Sequence, residues 1–162
     1  MKIFKYGDDV NTDVIFPGKY TYTISDPVEM AKHALEDLDP DFVKTVKSGD
    51  IIVAGKNFGC GSSREQAATC IKYSGVAAVI AKSFSRIFFR NCINSGLLAV
   101  ECPDAVDRIT GESTVIIDRE NNRIQVDGSW IDFPPIPEAV RHIIDGGGLI
   151  PYLREKFSEA KS

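Results

Sequence analysis

The stretch Ile51-Ile52-Val53-Ala54-Gly55-Lys56-Asn57-Phe58-Gly59-Cys60-Gly61-Ser62-Ser63-Arg64-Glu65-Gln66-Ala67-Ala68 decides the fold. Its first four residues are a short, continuous apolar run, the signature of a strand buried on both faces. Asn57 to Gly61 is a glycine turn. Ser62 with Glu65, or Ser63 with Gln66, has the spacing of a capping box, so a helix is expected from one of the two serines. Ala67, Ala68, Cys70 and Ile71 continue it and Gly75 ends it. The pattern then repeats. Val76 to Ala81 is a second apolar run, and Ser85 to Asn94 is a second helix, closed at Gly96. Two consecutive strand–turn–helix units call for parallel pairing and an α/β layer.

On the N-terminal side, Ile3 to Tyr6 reads as a strand and Gly7 to Ile15 as a loop too acidic to be buried without partners. Asp26-Pro27 opens a helix expected to reach about Leu38, with Asp26 as N-cap and Pro27 in the first helical position. On the C-terminal side the character changes. Ser113–Asp118 and Arg123–Asp127 flank a turn and read as a hairpin. Pro137–Asp145 is a helix ended by Gly146-Gly147-Gly148, and Pro151–Phe157 is a short final helix. The three glycines follow a helix, not a strand, so they read as a C-cap and not as a phosphate cradle.

Composition bounds the rest. The 162 residues amount to one domain, with no linker, repeat or low-complexity segment. Ile and Val number 31 against 6 Leu, which favours a substantial sheet. Lys and Arg number 19 and Asp and Glu 23, a net charge of −4 that argues against a dedicated nucleic-acid binder. No apolar run approaches a membrane span, and Met1 to Asp8 lacks a signal-peptide apolar region, so a cytoplasmic location is expected.

Cys60, Cys70, Cys92 and Cys102 are each at least ten residues apart. That spacing is wrong for a metal knuckle or an iron–sulfur cluster held by this chain alone, and four reduced, mostly buried thiols are expected. His33 and His142 fall in predicted helices without a suitable acidic or nucleophilic neighbour nearby in sequence, and read as surface or packing residues. There is no G-x-S-x-G elbow, Walker loop or G-x-G-x-x-G.

Three segments are candidates for chemistry. The turn before the first predicted helix presents two hydroxyls and a guanidinium where unpaired N–H groups and the helix dipole attract anions. Arg64 offers a planar fork for a carboxylate, and a serine alkoxide is stabilised in that field. One serine can then serve as a base while the other binds oxygen atoms of a small anion. The plain alternative is a well-capped helix with Arg64 solvated. Gly7 to Ile15, with Asp8, Asp9, Asn11, Thr12 and Asp13, is either a solvated loop or a polar wall opposite that helix end. Arg86 and Arg90, four apart on one helix face, are a carboxylate clamp, a basic solvated face or a partner surface.

These segments occur together in an order that resembles the aconitase-family swivel domains, and most closely the 3-isopropylmalate dehydratase (isopropylmalate isomerase) small-subunit family. The resemblance rests on Gly7-Asp8-Asp9-Val10-Asn11-Thr12-Asp13-Val14-Ile15, on Asn57 to Glu65, on Phe84-Ser85-Arg86-Ile87-Phe88-Phe89-Arg90-Asn91, and on Gly147-Gly148-Leu149-Ile150. It covers nearly the whole chain. It implies a three-layer β/β/α swivelling domain, with a mixed sheet flanked by helices.

The resemblance also implies a hydro-lyase of leucine, hence branched-chain amino-acid, biosynthesis. Such an enzyme interconverts 2-isopropylmalate and 3-isopropylmalate by elimination and re-addition of water. A [4Fe–4S] cluster is implied in a separate large subunit, where it binds substrate hydroxyl and carboxylate as a Lewis acid, and not in this chain. Carried over by position, Ser62 resembles the serine base. Ser63 and Arg64 resemble substrate-carboxylate ligands, and Thr12 and Asp13 resemble active-site residues of the opening loop.

By the same resemblance, Tyr22 stands in the loop that in relatives meets the variable substituent of the substrate. Homoaconitase-like relatives tend to place an arginine there, and isopropylmalate enzymes an apolar residue. Tyr22 supplies no cation for a third carboxylate, which favours an alkyl-substituted malate, isopropyl first. Homoaconitate, citraconate/methylmalate and dimethylmalate are the other substrates in view. A different class of function is a non-catalytic dicarboxylate-binding domain that needs no partner.

Overall fold

Each apolar run contains a four-residue strand buried at every position, Ile51–Ala54 and Ala78–Ala81, as the centre of a parallel sheet requires. In the computed structural model, which describes residues 1–162, β1 (Ile3–Lys5), β2 (Ile51–Ala54), β3 (Ala78–Ala81) and β4 (Leu98–Glu101) form one parallel sheet in that order. Ile52 pairs with Phe4 on one side and Val79 on the other, and Val79 pairs with Ala99. β5 (Val115–Asp118), β6 (Arg123–Val126) and β7 (Ser129–Asp132) form a separate antiparallel sheet.

Strand alternation divides the interior in two. Phe4, Ile52, Ala54, Val79, Ala81 and Ala99 face a helical layer. That layer includes α2 (Pro27–Ala31), α4 (Glu65–Tyr73) and α5 (Arg86–Ser95), which contribute Met30, Ala67, Ala68, Ile71, Phe88 and Cys92. Ile3, Ile51, Val53, Ala78, Ile80, Leu98 and Val100 face the antiparallel sheet and α6 (Pro103–Arg108). The layers are therefore antiparallel sheet, parallel sheet, helices. The three-layer expectation holds, with parallel and antiparallel strands segregated into different sheets.

Ser85 caps α5 by accepting from the Phe88 N–H, and Gly96 ends it in the left-handed region at φ 76°. Asp26 caps α2 as expected. That helix, however, stops at Ala31, well short of Leu38. Leu35 turns to φ 58° so that its N–H reaches the Ile15 carbonyl at 2.8 Å, and this long-range bond replaces the next helical turn. Two short helices, α1 (Thr12–Ile15) and α3 (Phe42–Thr45), complete this side.

Five elements escape the pattern reading: α1, α3, β4, α6 and β7. At the C-terminus α7 (Glu138–Asp145) is closed by the Gly146 N–H on the His142 carbonyl at 2.9 Å, so the glycines act as a cap. The last helix, α8 (Leu149–Glu159), starts two residues before Pro151 and outlasts Phe157. His33 does have an acidic neighbour: its Nδ1 lies 2.7 Å from Glu36 Oε2, and its ring packs on Tyr20. His142 lies 3.8 Å from Glu138 on the exposed face of α7. No helix is long and apolar enough to cross a membrane.

Candidate active site

Parallel sheets gather their functional loops at the carboxyl ends of the strands. Here the loops after β1, β2 and β3 are stitched together at that edge. The Gly59 N–H donates to Val10 O and the Thr12 N–H to Cys60 O, each at 2.8 Å. On the other side Phe58 N–H donates to Ser83 O, and Ser85 Oγ to Gly59 O at 2.8 Å. The acidic opening loop finds the partners its charge requires. Asp8 accepts from the Lys56 N–H, and Asp9 from Asn57 Nδ2. Asn11 caps α1 through the Val14 N–H.

This stitching leaves Gly61, Ser62 and Ser63 exposed at the rim. Neither serine caps a helix. α4 begins at Glu65, and Arg64, extended at φ −126°, occupies the cap position with no side-chain capping bond. The capping-box reading of both serines is thereby corrected: Gly61, at φ +92°, turns the chain so that the serines precede the helix. As a consequence both hydroxyls and the backbone N–H groups of Ser62, Ser63 and Arg64 make no internal hydrogen bond. They form an unused donor set at the start of α4, where the helix field favours an anion.

Arg64 is not solvated. Its side chain is only 17% exposed and forms an ion pair with Asp13. Nη1 also donates to Thr21 Oγ1 at 3.2 Å and to Phe16 O at 3.5 Å. Thr12 is buried, and its hydroxyl donates to Ser62 O at 2.8 Å, so it holds the serine loop in place. Of the residues picked out by sequence, Ser62, Ser63, Arg64, Thr12 and Asp13 therefore converge. Tyr22 does not touch them. It is 98% exposed, just beyond the 3₁₀ turn Gly18–Tyr20.

Thr21, adjacent to Tyr22, is the link that sequence reading misses; Ser85 is legible as a helix start, but its bond to Gly59 behind the turn is not. No local pattern marks Thr21. Only the fold brings it to Arg64, 43 residues away.

The cysteines do not suit an iron–sulfur cluster. Cys70, Cys92 and Cys102 are buried, and burial pushes all three thiols up, away from the thiolate a cluster needs. Cys60 alone is partly exposed. No three His, Cys, Asp or Glu side chains gather as a metal site.

Comparison with known proteins agrees with this arrangement. Residues 11–105 match the aconitase C-terminal domain family. The 3-isopropylmalate dehydratase small subunit of Caldicellulosiruptor bescii is 53% identical over 160 residues, covering 98% of this chain and 96% of the relative. The Aquifex aeolicus small subunit is 51% identical, covering 97% and 95%. A crystal structure of 3-isopropylmalate dehydratase from Methanocaldococcus jannaschii superposes with a TM-score of 0.89 at 45% identity, over 99% of this chain and 96% of that one. Fold, loop constellation and near-full-length similarity converge on one assignment: the chain belongs to the 3-isopropylmalate dehydratase small-subunit family, within the aconitase-type domains.

Proposed function

We propose that this chain supplies one half of the active site of a [4Fe–4S]-dependent hydro-lyase that interconverts 2-isopropylmalate and 3-isopropylmalate. The large subunit supplies the other half and carries the cluster, for which this chain has no cradle. The observation that supports the reading best is the pairing of free Ser62 and Ser63 hydroxyls and N–H groups with an Arg64 held rigid beside them.

In this reading Ser62, as the alkoxide, takes the proton from the substrate carbon. The C–H electron pair becomes the new double bond and the hydroxyl leaves the neighbouring carbon with the C–O pair, a departure assisted by the Lewis-acidic cluster of the large subunit. Re-addition puts the hydroxyl on the carbon that lost the proton, while Ser62 returns the proton to the carbon that lost the hydroxyl. Ser63, the free N–H groups and Arg64 bind substrate carboxylate. Asp13 and Thr21 fix the guanidinium fork, since a planar donor is useful only when its orientation is held. Thr12 acts through the Ser62 loop.

The turn carrying Tyr22 offers no free cation. Lys19, its one basic residue, is 3.1 Å from Glu36 and lies over the Tyr20 ring. A third substrate carboxylate would be unpaired there, which supports an alkyl substituent. Anaerobic isolation of the chain with its large subunit, followed by turnover of a panel of substituted malates, tests the reading. Highest kcat/KM for 2-isopropylmalate is expected. Preference for another malate would move the substrate assignment, and tight dicarboxylate binding without any partner or turnover would replace it with a binding domain.

Two variants probe the supporting contacts. Tyr22→Arg is expected to shift the kcat/KM ratio at least about tenfold towards a malate bearing an additional carboxylate, a charged hydrogen bond being worth roughly 1.5–3 kcal/mol. Competition assays with paired substrates read it directly. Thr12→Val removes the bond to Ser62 O. It is expected to lower stability by about 1 kcal/mol and kcat by about ten- to a hundredfold through misplacement of the loop. Thr12→Ser, which keeps the hydroxyl, restores most of the rate.

A further inference from the structure

A groove of about 1020 Å³ lies between α5 and α7, over the β4 edge of the parallel sheet. Ile87, Phe89, Ile93, Phe133 and Ile136 make its lining mostly apolar. Ile87 is 41% and Phe89 36% exposed, although both sit on a helix whose opposite face packs into the core. The rim carries Arg86 and Arg90, both exposed and neither paired with a carboxylate. By contrast Arg119 and Arg123 on the antiparallel sheet each have an acidic partner. Glu101 is the one carboxylate in the lining, leaving the groove with a net positive charge on a chain of net charge −4.

The groove lies beside the turn that presents the candidate site. Phe84, at its end, stands 6.2 Å from the Phe58 ring, and Ser85 bonds to Gly59 in the serine turn. A partner that completes the site at the carboxyl edge of the sheet would therefore also reach the groove's mouth.

We propose that the groove seats the large subunit, through a segment that presents apolar side chains to Ile87 and Phe89 and a carboxylate to Arg86 and Arg90. The inference rests on the function proposed above. An apolar centre with a charged rim matches the anatomy of protein interfaces, and the two unpaired arginines steer an acidic partner and fix its register.

The test titrates the cluster-loaded large subunit with wild-type chain, Ile87→Asp and the double variant Arg86→Glu/Arg90→Glu. Sedimentation velocity follows assembly, and turnover of 2-isopropylmalate is measured against large-subunit concentration. Both variants are expected to raise the assembly Kd at least tenfold without moving the unfolding midpoint, because the replaced side chains are exposed. Ile87→Asp is expected to recover near-wild-type kcat at saturating partner. Rising salt is expected to weaken wild-type assembly more than that of the arginine variant.

Wild-type Kd in both variants, with the wild type assembling normally, would overturn the groove assignment and leave the functional reading standing. Loss of self-association of the isolated chain, with large-subunit binding untouched, would assign the groove to a second copy and overturn it as well. A wild-type chain that neither binds the large subunit nor supports turnover would overturn the functional reading, and the inference with it.

Discussion

Replacing Ser62 by Ala is expected to lower kcat by about 10²- to 10⁴-fold while leaving fold and assembly unchanged, the range that removal of a positioned general base produces. At the midpoint that is about 4 kcal/mol of transition-state stabilisation. The structure makes this a clean experiment. The Ser62 side chain is exposed and its hydroxyl has no protein partner, so truncation leaves no unsatisfied group. The contact that fixes the loop uses the Ser62 carbonyl, which alanine retains.

Serine is a poor base in water, so the expectation needs a field that favours the alkoxide. Arg64 supplies less of it than its position suggests, because Asp13 already balances its charge. The free N–H groups of residues 62–64 and the N-terminal end of α4 remain unscreened by any internal acceptor, and they carry the larger share. Hence KM for 2-isopropylmalate is expected to stay within a few-fold in Ser62→Ala, since the groups proposed to bind the carboxylate survive. Ser63→Ala should raise KM more than it lowers kcat. Steady-state kinetics on the assembled complex, with the unfolding midpoint as control, separates the two. A kcat near wild type in a fully assembled Ser62→Ala complex would remove this serine from the chemistry.

What the sequence makes legible follows from how local each signal is. Ile51–Ala54 and Ala78–Ala81 are buried on both faces, so their apolar runs need no tertiary information to read as central strands. The Ser85 cap and the Gly96 stop are likewise local. β4 has the same kind of run, Leu98-Ala99-Val100, but it follows Gly96-Leu97 so closely that strand and helix exit merge in the pattern. The early end of α2 is set by a bond from Leu35 to Ile15, which no window around Asp26 contains.

The candidate site divides the same way. Ser62, Ser63 and Arg64 stand out because they are contiguous after a glycine turn. Their failure to cap α4, the Thr12 bond to Ser62 O and the clasp of Asp13 and Thr21 on Arg64 depend on loops from separate strands meeting at one edge. Capping-box spacing is satisfied by sequence alone; whether a box forms depends on where the preceding turn leaves the chain.

That turn is also sensitive to a single added carbon. Gly59 sits at φ +80°, and a Cβ there would fall on the Cβ and ring of Phe88. Phe88 has no easy retreat: it is 1% exposed and packed edge-on against Phe58 and stacked with Phe84. Gly59→Ala therefore combines a left-handed backbone penalty of roughly 1–2 kcal/mol with overpacking of about 1–3 kcal/mol. A loss of about 2–5 kcal/mol takes a large share of a typical domain's stability of roughly 5–15 kcal/mol. At about 2–4 °C per kcal/mol for a chain of this size, the unfolding midpoint should fall by roughly 5–20 °C.

In the double variant Gly59→Ala/Phe88→Ala the ring is gone, but the β-carbon of residue 88 still meets the new methyl, the strained φ remains and a cavity opens, so the double variant is expected to be no more stable than Gly59→Ala. A midpoint unchanged in Gly59→Ala would mean that Phe88 yields without cost and that the aromatic stack does not brace the serine turn. The expected contrast with Ser62→Ala is the useful one. Three residues apart on the same loop, one substitution removes the chemistry at constant stability, and the other removes stability by pressing on the back of the turn that presents the serine.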